Sequence, residues 1–92
     1  MMDLSEYRTK IDEIDRQLVA LFTERMATAA DIAAYKKAHH LPVLDAAREQ
    51  QKLRQIAELA PAALQNETQT LYRLLFALSR SYQSRLLGPF SP

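Results

Sequence analysis

The chain contains no cysteine, no tryptophan and a single glycine. Without cysteine there can be no disulfide and no thiolate metal site, and the composition fits a reducing compartment. Breakers are scarce: Gly88 is the one glycine, and proline occurs at 42, 61, 89 and 92. The first 41 residues therefore have nothing to interrupt a helix. No stretch of Val, Ile and Thr alternates as a half-buried strand would. Charge of one sign is not in excess, since the formal net charge is +1 and acids and bases are mixed along the chain. A general nucleic-acid or membrane-surface binder carries a larger, clustered basic excess, so neither partner is expected. No apolar run is long enough to span a bilayer, and the opening MMDLSEYRTK has no apolar core of signal-peptide type. His39 and His40 lack acidic or His partners at ligand spacing and read as loop residues, so no metal site is expected. These absences point to a cytoplasmic protein of one small domain.

What is present favours helices throughout. Ala, Leu, Gln, Arg and Glu dominate. Asp3, with Glu6 three residues on, reads as a capping box opening a first helix that runs to about His39. Pro42 restricts Leu41 and ends the segment. Asp45 is a good N-cap for a second helix, about Ala46 to Leu59, with Leu53, Ile56 and Ala60 facing inward. Pro61 breaks it. Asn66 with Gln69 is a second capping signature, which predicts a third helix from about Glu67 to Leu87. Its apolar stripe is Leu71, Leu75, Leu78 and Tyr82, with Tyr72 and Phe76 alongside. Gly88-Pro89 terminates it, and residues 88–92 read as a tail or linker to a domain spanning 1–87.

Two cations interrupt the apolar register of helix 1. Leu4, Ile11, Ile14, Leu18, Leu21 and Ile32 trace one stripe. The seven-residue step from Ile11 through Leu18 arrives at Arg25 before Ile32, and Lys36 lies almost three helical turns beyond Arg25 on the same face. An unpaired buried charge costs several kcal/mol, so both require an anion, either a Glu or Asp of another helix or a ligand. Helix 1 is also too long for its chain. At 1.5 Å per residue it measures about 52 Å, whereas a compact chain of this size has a radius of gyration of about 12 Å. Self-association through helix 1 is the simplest way to bury its stripe, and a homodimer is expected.

Six more polar residues join the candidate set. Arg8 lies about 100° from the Arg25–Lys36 face; alone it would pass for an exposed charge, yet it could enter the pocket of a second copy. Asp45 and Glu49, one turn apart, share a face of helix 2. Asp45 is equally explained as a cap, Glu49 as a dipole-favoured acid, and Arg48 as a surface ion-pair partner contributing at most about 1 kcal/mol. Ser79 and Gln83, four apart on helix 3, would also suit a plain helix interface. Singly, only Arg25 and Lys36 favour a site.

Taken in order, the residues resemble the all-helical class of chorismate mutases. The pattern is Leu4-x-x-Tyr7-Arg8-x-x-Ile11-Asp12-x-x-Asp15, Glu24-Arg25, Lys36, Pro42-Val43-x-Asp45-x-x-Arg48-Glu49, and Ser79-x-x-x-Gln83. It covers about residues 4 to 86, and the stretch from Lys36 to Glu49 is the most specific part. Ser79 and Gln83 are placed by their mutual spacing and by the apolar register of helix 3; the alternative, Ser81 with Arg85, would put a second cation where the family has a neutral or acidic group.

The resemblance implies an all-α fold, three helices per chain with a long first helix, intertwined as a homodimeric helical bundle. It implies rearrangement of chorismate to prephenate in aromatic amino-acid biosynthesis, in a free domain or in one fused to a prephenate-processing enzyme such as a dehydratase. This concerted Claisen-type shift moves no proton and needs no cofactor or metal. In the family the first arginine crosses to the partner's site, a role that falls to Arg8. Arg8 and Arg25 would grip the two substrate carboxylates. Lys36 and Gln83 would meet the ether oxygen as its bond to carbon breaks, with Lys36 also near a carboxylate. Glu49, with the backbone around Asp45, would accept the ring hydroxyl, and Arg48 and Ser79 would orient the substrate or close the site. Two rival readings share the residues: an isochorismate-pyruvate lyase, and a non-catalytic dimerisation module in which protein carboxylates satisfy Arg25 and Lys36 and no cavity remains.

Overall fold

The computed structural model describes residues 2–88. Three helices follow one another: α1 (Leu4–Ala38), α2 (Ala46–Leu59) and α3 (Gln65–Leu87), with a single 3-10 turn at Ala62–Leu64 before α3. No strand occurs among the described residues. The expected all-α class with a long first helix is the class observed. Among the described residues no helix is long and apolar enough to cross a membrane. Residues 89–92 of the expected tail lie outside the described residues.

The first two helix starts form as their caps require. The Asp3 carboxylate accepts the Glu6 N–H at 2.9 Å, and Asp45 accepts the Arg48 N–H at 3.0 Å. The third start differs from expectation. The Leu64 N–H bonds the Pro61 carbonyl at 2.9 Å, and this tight turn runs directly into α3, two residues before the predicted start. No side chain caps α3. Asn66 sits inside the helix, and Gln69 is drawn away, its Nε2 donating to the Leu53 carbonyl of α2 at 3.2 Å. Gln65 does the same to Ala57 at 2.9 Å. Hydrogen bonds between the helices replace the capping box.

α1 ends in a reciprocal pair of turn bonds. The Leu41 N–H reaches the Lys36 carbonyl at 2.8 Å and the His40 N–H reaches Lys37 at 3.3 Å, the Schellman pattern. This forces His40 into the left-handed region at φ 57°, where most chains place glycine. His39 stacks on Tyr35 with ring centroids 4.0 Å apart, which fits the loop reading of both histidines. The turn folds the chain back so that Val43 meets Lys36. A neighbouring lysine ties down another terminus: Lys37 Nζ donates to the Leu87 carbonyl at 2.9 Å and holds the end of α3.

α3 is the central element, packed on α1 along one side and on α2 along another. The side it buries is not the predicted leucine stripe. Phe76, Ser79 and Gln83 are buried, whereas Leu71 and Leu78 are exposed. The physical reason lies across the seam, where the buried residues of α1 are the small Ala29 and Ala33. Small residues let the two helices approach closely and leave room for polar side chains between them. Leu53 and Ile56 of α2 complete the core.

The α1 stripe is uncovered in the single chain. Leu18 is 56% exposed and Leu21 63%, and Leu4, Ile11, Ile14 and Ile32 are exposed with them. The molecule is elongated, 56 × 26 × 14 Å with a radius of gyration of 16.6 Å. Replacing His40 with Gly should relieve the left-handed backbone and raise stability by about 1 kcal/mol, a rise of roughly 4–8 °C in Tm. His40→Val should lower it. Thermal unfolding followed by circular dichroism measures both.

Candidate active site

The second half of α1, the loop after it, the first turn of α2 and the second half of α3 enclose a cavity of about 510 Å³. Seven of the eight sequence candidates line it: Arg25, Lys36, Asp45, Arg48, Glu49, Ser79 and Gln83. Helical phase explains the grouping. Arg25, Ala29 and Lys36 share one face of α1, while Ser79 and Gln83 share one face of α3 opposite. Asp45 and Glu49 reach the cavity from the α2 terminus, which the Schellman turn brings back against Lys36. The volume falls within the range of small-molecule pockets. The alternative pair, Ser81 and Arg85, lines a different groove beside Phe22 and Met26, and Arg85 lies over the Tyr82 ring at 5.3 Å.

Each interior cation is held by neutral groups. Arg25 Nη1 donates to Ser79 Oγ at 3.0 Å, and its guanidinium carbon stands 5.7 Å from the Tyr72 ring centroid and 5.9 Å from that of Phe76. Ser79 in turn donates to the Met26 sulfur at 3.7 Å. Lys36 Nζ donates to the Val43 carbonyl at 3.1 Å. Among the described residues, neither cation has a carboxylate within ion-pair reach. A guanidinium carries five N–H donors and an ammonium three, so most of their hydrogen-bonding capacity is left over. The non-catalytic reading required protein carboxylates on both cations and a closed interior. The described residues provide neither.

Gln83 is buried and its orientation is fixed. Its Nε2 donates to the Ala29 carbonyl at 2.7 Å, an acceptor that only the nitrogen end of the amide can meet. The second N–H of that nitrogen remains for the cavity. Asp45 uses one oxygen for the cap bond to Arg48, whose side chain also lines the cavity.

Arg8 stands apart. It is exposed on the first turns of α1, and seventeen residues of helix separate it from Arg25, about 26 Å along the axis. Within one chain it cannot reach the cavity.

One charged lining residue is absent from the sequence candidates. Arg80 follows Ser79 on α3, and its Nη1 donates to Glu49 Oε2. This is the single ion pair among the described residues. Arg80 lies about 100° round from Ser79, but it is four residues from Phe76 and three from Gln83, so it stands at the edge of the cavity-lining face of α3. The usable signal was the pairing of a cation on α3 with the acid at the α2 terminus. Counting Arg80, four cations and two carboxylates line the cavity, which leaves two positive charges in excess. That is the complement of a dianion.

Residues 7–84 match the family model of chorismate mutase type II, and the chain belongs to that family. A chorismate mutase of Methanocaldococcus jannaschii is 44% identical over 46 residues, covering 50% of this chain and 46% of the relative. The match thus spans about half the length of the curated relative. No solved structure matches the chain.

Gln83→Leu keeps the buried volume and removes the donor to Ala29. It should lower stability by about 1–2 kcal/mol, read as a drop in urea midpoint with unchanged slope.

Proposed function

We propose that this chain catalyses the rearrangement of chorismate to prephenate. One observation carries the reading. Two cations stand in a helix–helix seam without carboxylate partners and open onto a cavity with two positive charges in excess. The family membership supplies the substrate. Chorismate is a dicarboxylate with an enol-ether bridge and a ring hydroxyl, and the cavity offers a matching group for each feature.

The chemistry asks for two things. The substrate must be held in a compact, chair-like shape, and the ether oxygen must be stabilised as its C–O bond breaks. Arg25 takes one carboxylate through its unused guanidinium donors, while Ser79 fixes its plane. Lys36 and the free N–H of Gln83 approach the ether oxygen. Both are anchored beforehand, on Val43 and Ala29, so little reorganisation is needed when charge develops there. Glu49 accepts the ring hydroxyl beside the Asp45 backbone, and Arg48 closes the cavity mouth. No step needs an acid or base. Gln83 has no titrating proton, and no His is among the described residues lining the cavity, so activity should stay level across neutral pH.

The second carboxylate falls to Arg8 of another copy. The exposed α1 stripe supports a homodimer, since pairing through it would bury Leu18 and Leu21 and would carry Arg8 toward the partner's cavity. Residues 1–87 then form the mutase domain, with residues 88–92 as a C-terminal tail or linker. Aromatic amino-acid biosynthesis in the cytoplasm is the setting that fits a cysteine-free chain of this family.

The direct test follows the ultraviolet absorbance of chorismate and identifies the product by chromatography. Prephenate should appear with the wild type and fail to appear with Arg25→Ala. Consumption of isochorismate with release of pyruvate, and none of chorismate, would establish the lyase instead. Neither reaction by a folded chain would leave a non-catalytic module. Lys36→Ala should lower kcat by about 10²-fold or more. Arg8→Ala and Lys36→Ala chains, unfolded together and refolded, should recover about a quarter of wild-type activity, because half the dimers are mixed and each mixed dimer holds one intact site. No recovery from two inactive parents would mean that Arg8 does not complete a partner's site, and a fully active Arg8→Ala chain would place it outside the site.

A further inference from the structure

The geometry points to Arg80 as a positioning residue, one that holds Glu49 by a single oxygen and keeps it off the cations that must receive the substrate; this rests on the mutase reading. Glu49 is one of two carboxylates facing the cavity, and Asp45 is already committed to its helix cap. Arg25, Lys36 and Arg48 line the same cavity as Glu49, each with unused donors. A mobile glutamate side chain there has an obvious resting place: it would fold onto Arg25 or Lys36 and fill the position of a substrate carboxylate. Arg80 prevents this from the edge of the cavity-lining face of α3. It crosses from α3 to the first turn of α2 and binds Oε2 of Glu49. Oε1 accepts no protein hydrogen bond among the described residues.

The arrangement divides the labour within one carboxylate. One oxygen is anchored to the wall, and the other is presented to the cavity at a fixed height above α2. Both side chains are only partly exposed, 36% for Arg80 and 26% for Glu49, so the pair sits at the cavity rim, where solvent screening is incomplete and geometry rather than net attraction is the gain. Arginine suits the task better than lysine, since its planar fork fixes the direction of the carboxylate it binds. Arg80 itself needs no contact with substrate to act.

The test is a double-mutant cycle on kcat and KM for chorismate with wild type, Arg80→Met, Glu49→Gln and the double variant. Arg80→Met should lower kcat/KM by about tenfold, chiefly through KM, because the freed Glu49 competes with a substrate carboxylate. In the Glu49→Gln background the same change should cost less than about twofold, since the competitor is gone. Arg80→Lys should fall between Arg80→Met and wild type. Equal costs in both backgrounds would mean that Arg80 meets the substrate directly, and the proposal would fall. A drop in Tm with unchanged kcat and KM would reduce Arg80 to a brace between α2 and α3, with the same consequence. If Arg80→Met fails to fold, Arg80→Lys carried through the same cycle decides between these outcomes. Wild type that leaves chorismate intact sinks the mutase reading and this proposal together, whereas an active wild type without coupling sinks this proposal alone.

Discussion

Everything around the cavity follows from two positive charges placed in a seam between helices. A guanidinium and an ammonium cannot sit between packed helices as leucines do; they need acceptors, and the seam must be polar enough to receive them. The chain solves this with neutral partners. Ser79 and the Val43 carbonyl each take one hydrogen bond, and the aromatic rings of Tyr72 and Phe76 flank Arg25. None of these neutralises the charge. The cations are thereby fixed in direction while their electrostatic demand stays open, which is the condition for binding an anion strongly and in one orientation.

The same constraint explains the unusual core. A seam that must hold Arg25 and Lys36 cannot also be filled with large aliphatic side chains. α1 therefore faces α3 with Ala29 and Ala33, and α3 answers with Ser79 and Gln83. The large apolar residues are displaced to the outer faces, where Leu18, Leu21 and Leu71 stand exposed. Site and surface are two results of one allocation. The end of α1 serves it as well: the left-handed His40 turns the chain so that a loop carbonyl arrives at Lys36 and the α2 terminus arrives at the cavity.

Much of this was legible in the residues. The span of α1, both ends of α2 and the close of α3 at Gly88 could be read because caps and breakers are local signals. So could the odd placement of Arg25 and Lys36, since a seven-residue register makes a misplaced cation conspicuous. The start of α3 could not. Asn66 and Gln69 form a plausible capping box, and only the presence of α2 alongside shows why Gln69 donates to Leu53 instead. The buried face of α3 is concealed for a related reason. Leu71, Leu75 and Leu78 form the stronger apolar stripe, and although the apolar register of α3 puts Ser79 and Gln83 beside it, hydropathy alone does not rank that polar pair as the residues turned inward. Arg80 is hidden because an arginine beside a polar pair on a helix reads as an ordinary surface charge, and only the packing of α2 on α3 brings Glu49 to it.

A core of Ala29, Ala33, Leu53, Ile56 and Phe76 is thin for a chain of 92 residues. Ordering that many residues costs far more than so few buried side chains return. Were a second copy to cover the α1 ridge, as proposed, it would contribute burial that the lone chain lacks, and the folded state would belong to the pair rather than to one molecule. Stability would then be a function of protein concentration. A freshly made chain would be at greatest risk while scarce, and a cell making little of it would keep a smaller fraction folded than a cell making much.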